Sequence, residues 1–475
     1  MGAFLSALWP SRYERGLKIF ALNLSFFVFF CSLFLWIWFD QSTAKFQFVT
    51  SFPWFSSLNI NCTFGVDGIS LFLVLLTTLL FPLCLLGSWH SIQKRIKEYV
   101  VCFLIMEAFL ICVFCVMDLL LFYIFFEGVL IPMFVLIGIW GSRERKIRAA
   151  YLFFLYTLFG SLFMLLAILY IFVKTGTTDY EILAHTTFSS FEQKILWLAF
   201  FASFATKVPM LPMHIWLPEA HVEAPTAGSV ILAGILLKLG TYGFLRFSLP
   251  LFPEASYYFT PLVYTMATLG VIYTSFTAIR QTDLKRIIAY ASVAHMNLVM
   301  MGLFSFNLPG LEGALLQSLS HGFVSSALFL CIGVLYDRYH TRMVKYYSGL
   351  VHVMPISMVI LLFFTMANIG LPGTSSFVGE FLILVGIYQT NTTVTFLGAT
   401  GMILGGGYSL WLYNRIAYGN LKTQYLGMTK FSDISKNEFF AVLPLIMGTL
   451  VMGIYPEVFL DPMHVSVNHL LTIIS

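Results

Sequence analysis

Charge is what this sequence has least of. Asp, Glu, Lys and Arg make up only 10% of its 475 residues, against about 25% in ordinary soluble proteins. A water-soluble globule is thereby excluded, because 59% of the residues are hydrophobic and the mean hydropathy is +0.87. Nucleotide loops are missing too: no P-loop, no G-x-G-x-x-G dinucleotide fingerprint and no cysteine set spaced for an iron–sulfur cluster occurs. Seven cysteines build no disulfide framework, since most lie inside apolar runs. Cys112 and Cys115 form one C-x-x-C, but no second pair follows it, so a redox or metal role there is thinly supported. The start, MGAFLSALWPSRYERGLK, reads as neither a cleavable signal nor a transit peptide. The net charge of +4 does not point to nucleic acid, because the basic residues sit in short loops between apolar runs.

What is present is a series of apolar stretches, each long enough to cross roughly 30 Å of hydrocarbon. They are continuous rather than alternating, which predicts helices and argues against an outer-membrane barrel. The spans fall at 17–38, 68–88, 99–117, 119–139, 150–173, 195–213, 226–248, 258–279, 286–305, 312–335, 354–389, 395–414 and 438–456. The predicted fold class is all-α: a polytopic integral membrane protein of about thirteen transmembrane helices. The stretch 354–389 is long enough for two helices, but Leu371-Pro372-Gly373-Thr374-Ser375-Ser376 interrupts it.

Charge placement decides that case. With 354–389 as one broken span and the N-terminus inside, only Lys45, Lys174, Lys194 and Arg246 fall outside. Lys207 and Lys238 lie within the membrane, and the other twenty of the 26 basic residues lie inside. Splitting the stretch would send Arg415, Lys422, Lys430 and Lys436 outside, against the positive-inside bias. Two sets of five spans then appear, 99–248 and 258–414, of opposite orientation, flanked by peripheral helices in 1–98 and by a C-terminal helix and tail in 415–475. The fourth span of each set is broken by proline beside an ionisable residue: Lys207-Val208-Pro209 in one, Pro372-Gly373 followed by Glu380 in the other. Interrupted helices at matching places in inverted repeats point to an ion path.

A charge at the bilayer centre costs about 2.5–3.5 kcal/mol on insertion scales. This chain nevertheless places Glu107, Glu127, Lys207, Lys238, His295, His321 and Glu380 near mid-span. Burial in a low dielectric favours the neutral form of an acid or a base, so such groups can exchange protons near neutral pH. Glu127 has no charged neighbour within eight residues and is read as a proton carrier; the plain structural alternative is a salt bridge or a neutral hydrogen-bonded carboxyl. Glu107, one span earlier, is read as its donor or acceptor. Lys207 is expected to form a switchable ion pair with Glu127; the alternative is that it caps carbonyls freed by Pro209. Lys238, too deep for easy snorkelling, is read as functional. His295 and His321 lie in consecutive spans with Ser292, Asn297, Ser318, Ser320, Ser325 and Ser326 nearby, which suggests a hydrated relay rather than two satisfied core histidines. Glu380 mirrors Lys207 in position and is read as a terminal proton site releasing to the outer side. Met213 to Pro225 carries His214, Glu219, His221 and Glu223. By composition it admits a metal, but the histidine spacing fits no zinc pattern, so it reads as a gate or access segment.

Four runs carry a resemblance: Lys207 to Gly234, Asp283 to Met296, Ser320-His321-Gly322 and Leu371 to Phe381. They resemble the antiporter-like membrane subunits of respiratory complex I, and most closely the plant and green-algal mitochondrial members, from about residue 30 to the C-terminus. The resemblance implies that Glu127 and Lys207 match the family's helix carboxylate and broken-helix lysine. Lys238 matches its connecting lysine, His295 its central histidine and Glu380 its exit carboxylate. It further implies a proton-translocating subunit of an NADH:ubiquinone reductase in the mitochondrial inner membrane, N-terminus on the matrix side. The chain itself would bind no cofactor: the FMN, iron–sulfur clusters and ubiquinone of the complex lie on other subunits. Expected partners are other membrane-arm subunits, especially the homologous subunits 2 and 5, and lipids, with no nucleic acid. Family members have fourteen spans against the thirteen read here, and the difference falls on the first. Two other readings are a subunit of a multisubunit sodium/proton antiporter, which shares the fold, and a structural scaffold without transport.

Overall fold

The computed structural model describes residues 2–10, 13–55, 60–422 and 432–474. Two basic residues used in the topology reading, Arg12 and Lys430, lie outside the described residues. The chain begins with α1 (Gly2–Leu8) and α2 (Glu14–Ile37), then a hairpin of β1 (Gln47–Phe55) and β2 (Ile60–Val66). Helices follow: α3 (Gly68–Gly87), α4 (Ile96–Cys115), α5 (Leu119–Gly128), α6 (Leu130–Trp140), α7 (Lys146–Thr175), α8 (Tyr180–Ala184), α9 (Ser190–Lys207) and α10 (Trp216–Glu223). Next is α11, a continuous helix over Thr226–Leu251. The second half contains α12 (Pro253–Arg280), α13 (Leu284–Leu303), α14 (Leu308–Tyr339), α15 (Pro355–Ile369), α16 (Ser375–Thr390), α17 (Thr392–Ala417), α18 (Lys436–Ile454) and α19 (Glu457–Ile474).

Among the described residues ten segments, α5 and α6 together making one, are long and apolar enough to cross a membrane, and α15 and α16 are shorter apolar helices. Short polar residues set many of the starts. Asp67, Asp118, Ser189, Asp283, Asn307, Asn391 and Ser435 each accept a backbone N–H of the first turn, which satisfies donors that lipid cannot. Helices α11 and α14 are wholly buried over their apolar windows, whereas α2 is mostly exposed. The centre of the bundle is therefore α3, α11, α13 and α14, and the outer helices turn large apolar side chains such as Phe27, Phe159 and Phe396 outward, as lipid-facing surfaces require.

The structure corrects the all-α expectation in one place. The segment after α2 pairs as an antiparallel ribbon with Thr50 opposite Phe64 and Phe52 opposite Cys62, in a run rich in the Phe, Val and Thr that favour strands. It also corrects the C-terminal tail. Residues Glu457–Ile474 form a helix that buries Met463, Ser466, Val467, Leu470 and Ile474 against α3 and α14. Asp461, Pro462, His464 and His469 interrupt its hydropathy, so no apolar run announces it. Arg246, near the end of α11, is buried with its guanidinium 2.6 Å from Asp67; this pair fastens α11 to the start of α3.

Candidate functional site

Six of the seven ionisable residues singled out in the sequence lie in two groups, and Glu107 stands apart. In the first, Glu127 stands at the end of α5, just before the break at Val129. The break follows from Pro132, which has no N–H for the carbonyl of Gly128 and whose ring crowds it. Together α5 and α6 make one apolar segment, Leu119–Trp140, which agrees with the sequence reading of 119–139 as a single span. Both Glu127 carboxylate oxygens are buried without a hydrogen-bond partner, beside the Ser161 hydroxyl and the Tyr123 ring.

Lys207 is the last residue of α9, so the span read as 195–213 ends there. The carbonyls that Pro209 leaves free already have donors. Met210 donates its N–H to Ala205 O at 3.0 Å, and the Trp216 indole donates to Thr206 O at 2.8 Å. The Lys207 ammonium therefore does not cap them. It has no hydrogen-bond partner at all and stands 4.3 Å from the centre of the Phe126 ring. Its charge and that of Glu127 act on one another, but no contact ion pair closes between them. Glu107, buried on α4, makes no ion pair or hydrogen bond to either, and its Oε1 is unpartnered. The structure brings Glu127 and Lys207 into one neighbourhood and leaves Glu107 outside it.

The second group is a contact series. Lys238 is held in α11 between two π-helical stretches, Leu232–Leu236 and Phe244–Ser248. Such wide turns loosen the helical ladder and occur often at functional sites. Here the Lys238 ammonium donates to the carbonyl of Ala233 at 2.6 Å and lies 2.8 Å from Nδ1 of His321. The ring of His321 lies 5.9 Å, centre to centre, from that of His295. His295 Nδ1 is 3.1 Å from Oε1 of Glu380, and Gln317 donates to the same oxygen at 3.1 Å. Four ionisable groups from α11, α14, α13 and α16 thus run in sequence through the buried middle of the bundle.

The break between α15 and α16 positions the last of them. Gly370 closes α15 with φ +85°, and a Cβ there would stand 2.9 Å from the Glu380 carboxylate; only glycine supplies both the left-handed turn and the room. At Gly379 a Cβ would meet the backbone of Gln317 at 2.8 Å, so glycine lets α16 approach α14 closely enough for the Gln317–Glu380 bond.

The polar residues near the histidines behave differently from a shared track. Ser292, Ser318, Ser325 and Asn297 donate to carbonyls of their own helices, a common way for hydroxyls to be satisfied in helices. Ser320 alone crosses between elements, to Ser375 at 2.7 Å, and Ser326 has no partner. The segment read as an access loop contains the short helix α10. Its His221 is fully buried with both ring nitrogens unpartnered and stacks on Phe329, while His214 faces Tyr273 and Tyr290. The two rings therefore serve different surroundings. Gln317 was overlooked in the sequence, yet it was visible there: a buried amide mid-span, one turn before His321, carries the same burial penalty that drew notice to the histidines.

Known proteins match this chain along its whole length. Residues 116–405 match the family described as NADH:quinone oxidoreductase/Mrp antiporter, transmembrane, and residues 16–117 match the amino terminus of NADH-ubiquinone oxidoreductase chain 4. NADH-ubiquinone oxidoreductase chain 4 of Marchantia polymorpha is 61% identical over 470 residues, covering 99% of this chain and 94% of that one. Its counterpart in Arabidopsis thaliana gives the same figures. Among solved structures, a chain of respiratory complex I from Thermus thermophilus with bound NADH superposes with a TM-score of 0.89 at 29% identity, covering 100% of both chains. A chain of the Mrp complex from Dietzia sp. DQ12-45-1b shares the fold, with a TM-score of 0.85 at 19% identity over 99% of this chain and 96% of that one. The chain belongs to the NADH-ubiquinone oxidoreductase chain 4 family, one of the antiporter-like membrane proteins.

Proposed function

We propose that this chain is a proton-translocating subunit in the membrane arm of an NADH:ubiquinone oxidoreductase of the mitochondrial inner membrane. Protons pass through its buried ionisable side chains, driven by redox chemistry on other subunits; FMN, iron–sulfur clusters and ubiquinone are not held by this chain. The observation that carries this reading is the contact series Lys238, His321, His295 and Glu380. Proton transfer needs donor and acceptor within hydrogen-bond reach or one water apart. Two of the three steps meet the first condition, and the histidine pair is close enough for the second. Glu127 and Lys207 act as a charge pair that closes and opens, and Glu380 is the terminal carboxylate. Glu107, one span earlier and not in contact with Glu127, is kept as a more distant donor or acceptor of protons for it.

The bundle is read as thirteen spans with the N-terminus in the matrix and two inverted sets, 99–248 and 258–414, between the peripheral regions 1–98 and 415–475. The matching breaks after Lys207 and before Glu380 support it. Homologous subunits 2 and 5 and membrane lipids are the expected neighbours. The test is replacement of Lys207 or Glu127 by alanine in the assembled complex: NADH-driven proton pumping is expected to stop or uncouple. Full pumping in both variants removes them from the mechanism. Sodium-dependent proton flux by the isolated subunit without NADH would favour the antiporter reading instead.

A further inference from the structure

Two cavities lie end to end along one face of α17, and Glu380 opens onto only one of them. The middle cavity is bounded by His295, Glu380, Gly401, Gly405, Asn368 and Tyr408. The other lies toward the end of the bundle that carries most basic loops, bounded by Ile287, Leu328, Thr365 and Ile416 and again by Asn368 and Tyr408. Each has a volume of about 20 Å³, room for a single water. The middle one offers ionisable groups to hold that water, whereas the other is walled mainly by hydrocarbon, where water gains little. Asn368 and Tyr408 are the partition shared by both. Both are buried, and the Asn368 amide donates to Ser409 across α15 and α17 at 3.3 Å.

The residues before Tyr408 are Gly405, Gly406 and Gly407, and packing does not demand them. A Cβ on Gly407 would touch nothing within 4 Å, one on Gly406 would meet only Ile369 at 3.7 Å, and one on Gly405 would meet only the Tyr408 hydroxyl at 3.8 Å. Gly401 differs, since a Cβ there would collide with Val271. Each glycine costs a helix interior about 1 kcal/mol relative to alanine. Three in a row with free space beside them give the turn that carries Tyr408 both weak helical preference and room to move. The Tyr408 hydroxyl points back along α17 toward Gly405, into the partition rather than away from it.

We propose that Tyr408 and Asn368 form a gate that separates Glu380 from the basic-loop end of the bundle and opens by a local shift of the glycine turn. The proposal rests on the reading of Glu380 as a proton site. Tyr408 and Asn368 are positioning residues: closed, they keep Glu380 from equilibrating with the basic-loop side, which would short-circuit a pump; open, they join the two cavities into one path.

The test uses inverted membrane vesicles holding the assembled complex. Tyr408→Ala merges the cavities and is expected to raise passive proton conductance at least threefold and to lower protons pumped per NADH while NADH oxidation continues. Gly406→Ala with Gly407→Ala, which fit the space available, stiffen the turn and are expected to slow pumping severalfold with no added leak. Unchanged conductance and pumping in the tyrosine variant, in an assembled complex where Glu380→Gln stops pumping, would overturn the gate alone. If the tyrosine variant does not assemble, the glycine pair decides: full pumping overturns the gate. Should Glu380→Gln itself pump normally, the reading of Glu380 falls and the gate with it.

Discussion

Replacing His321 by glutamine tests the contact series at its least redundant member. Glutamine keeps a polar side chain of similar reach but cannot take up and release a proton. In the native chain the Lys238 ammonium has two partners, Ala233 O at 2.6 Å and His321 Nδ1 at 2.8 Å, and the variant keeps the first. The second is the contact through which a proton would pass to the ring. A positioned acid–base group is worth about 10²–10⁴-fold in proton transfer, so its loss slows transfer between Lys238 and His295 by about that factor. Among the described residues no other ionisable ring bridges the two, since His221 stacks on Phe329 instead of contacting either. The assay is fluorescence quenching of a pH-sensitive dye in inverted vesicles, alongside NADH oxidation, with assembly checked by native electrophoresis. Pumping is expected to fall by at least tenfold in an assembled complex. Pumping within twofold of the parent would refute the claim that protons pass through His321.

Lys207→Met should leave assembly intact, because the ammonium it removes has no hydrogen bond to lose, yet stop pumping; normal pumping in vesicles would count against the charge-pair role. Gly370→Ala should disturb Glu380 doubly, since a left-handed turn costs a non-glycine residue about 1–2 kcal/mol and the new methyl would stand 2.9 Å from the carboxylate; retained pumping and unchanged heat stability would refute this. Asp67→Asn keeps an acceptor for the Ser70 N–H but strands Arg246. Breaking one side of a buried pair costs about 3–5 kcal/mol, so thermal release of the subunit from the complex should occur at lower temperature. An unchanged release temperature would show the pair to be dispensable.

The spans were legible because lipid demands unbroken apolar runs with internal hydrogen bonding, and that demand leaves its mark on every residue. The breaks after Lys207 and before Glu380 were legible because proline removes a donor wherever it falls. Helix α19 was hidden by its own amphipathic composition, and the ribbon of β1 and β2 by its brevity among long apolar runs. The π stretches around Lys238 have no residue signature at all. That these charges are buried was legible from their place in mid-span, but which of them touch was not. His321 lies 83 residues from Lys238 in sequence, and nothing local to either says that they touch. The same limit explains Glu107, which the sequence reads as a proton donor or acceptor for Glu127 but which the packing of α4 leaves without a charged partner.

The two groups of charges differ in a way that bears on how energy enters the chain. Lys238, His321 and the His295–Glu380 pair sit at hydrogen-bond or near-contact distances, so a proton moving among them changes little in the positions of heavy atoms. Lys207 and Glu127 are close enough to act on one another but not bonded, and the ammonium rests over the Phe126 ring. At an effective dielectric of about 20, a unit charge pair gains about 4 kcal/mol at 4 Å and about half that at twice the distance. Halving such a separation therefore shifts the energy of the pair by about 2 kcal/mol, or close to thirtyfold in population. A cation over an aromatic ring is stabilised by about 0.5–2 kcal/mol, which is of the same order, so in the proposed mechanism the paired and unpaired positions of the ammonium would be nearly balanced. Near balance is what lets a weak push from a neighbouring subunit choose between two states. An ammonium tied to a backbone carbonyl would have lost it, and the carbonyls that Pro209 frees are already taken by Met210 and Trp216.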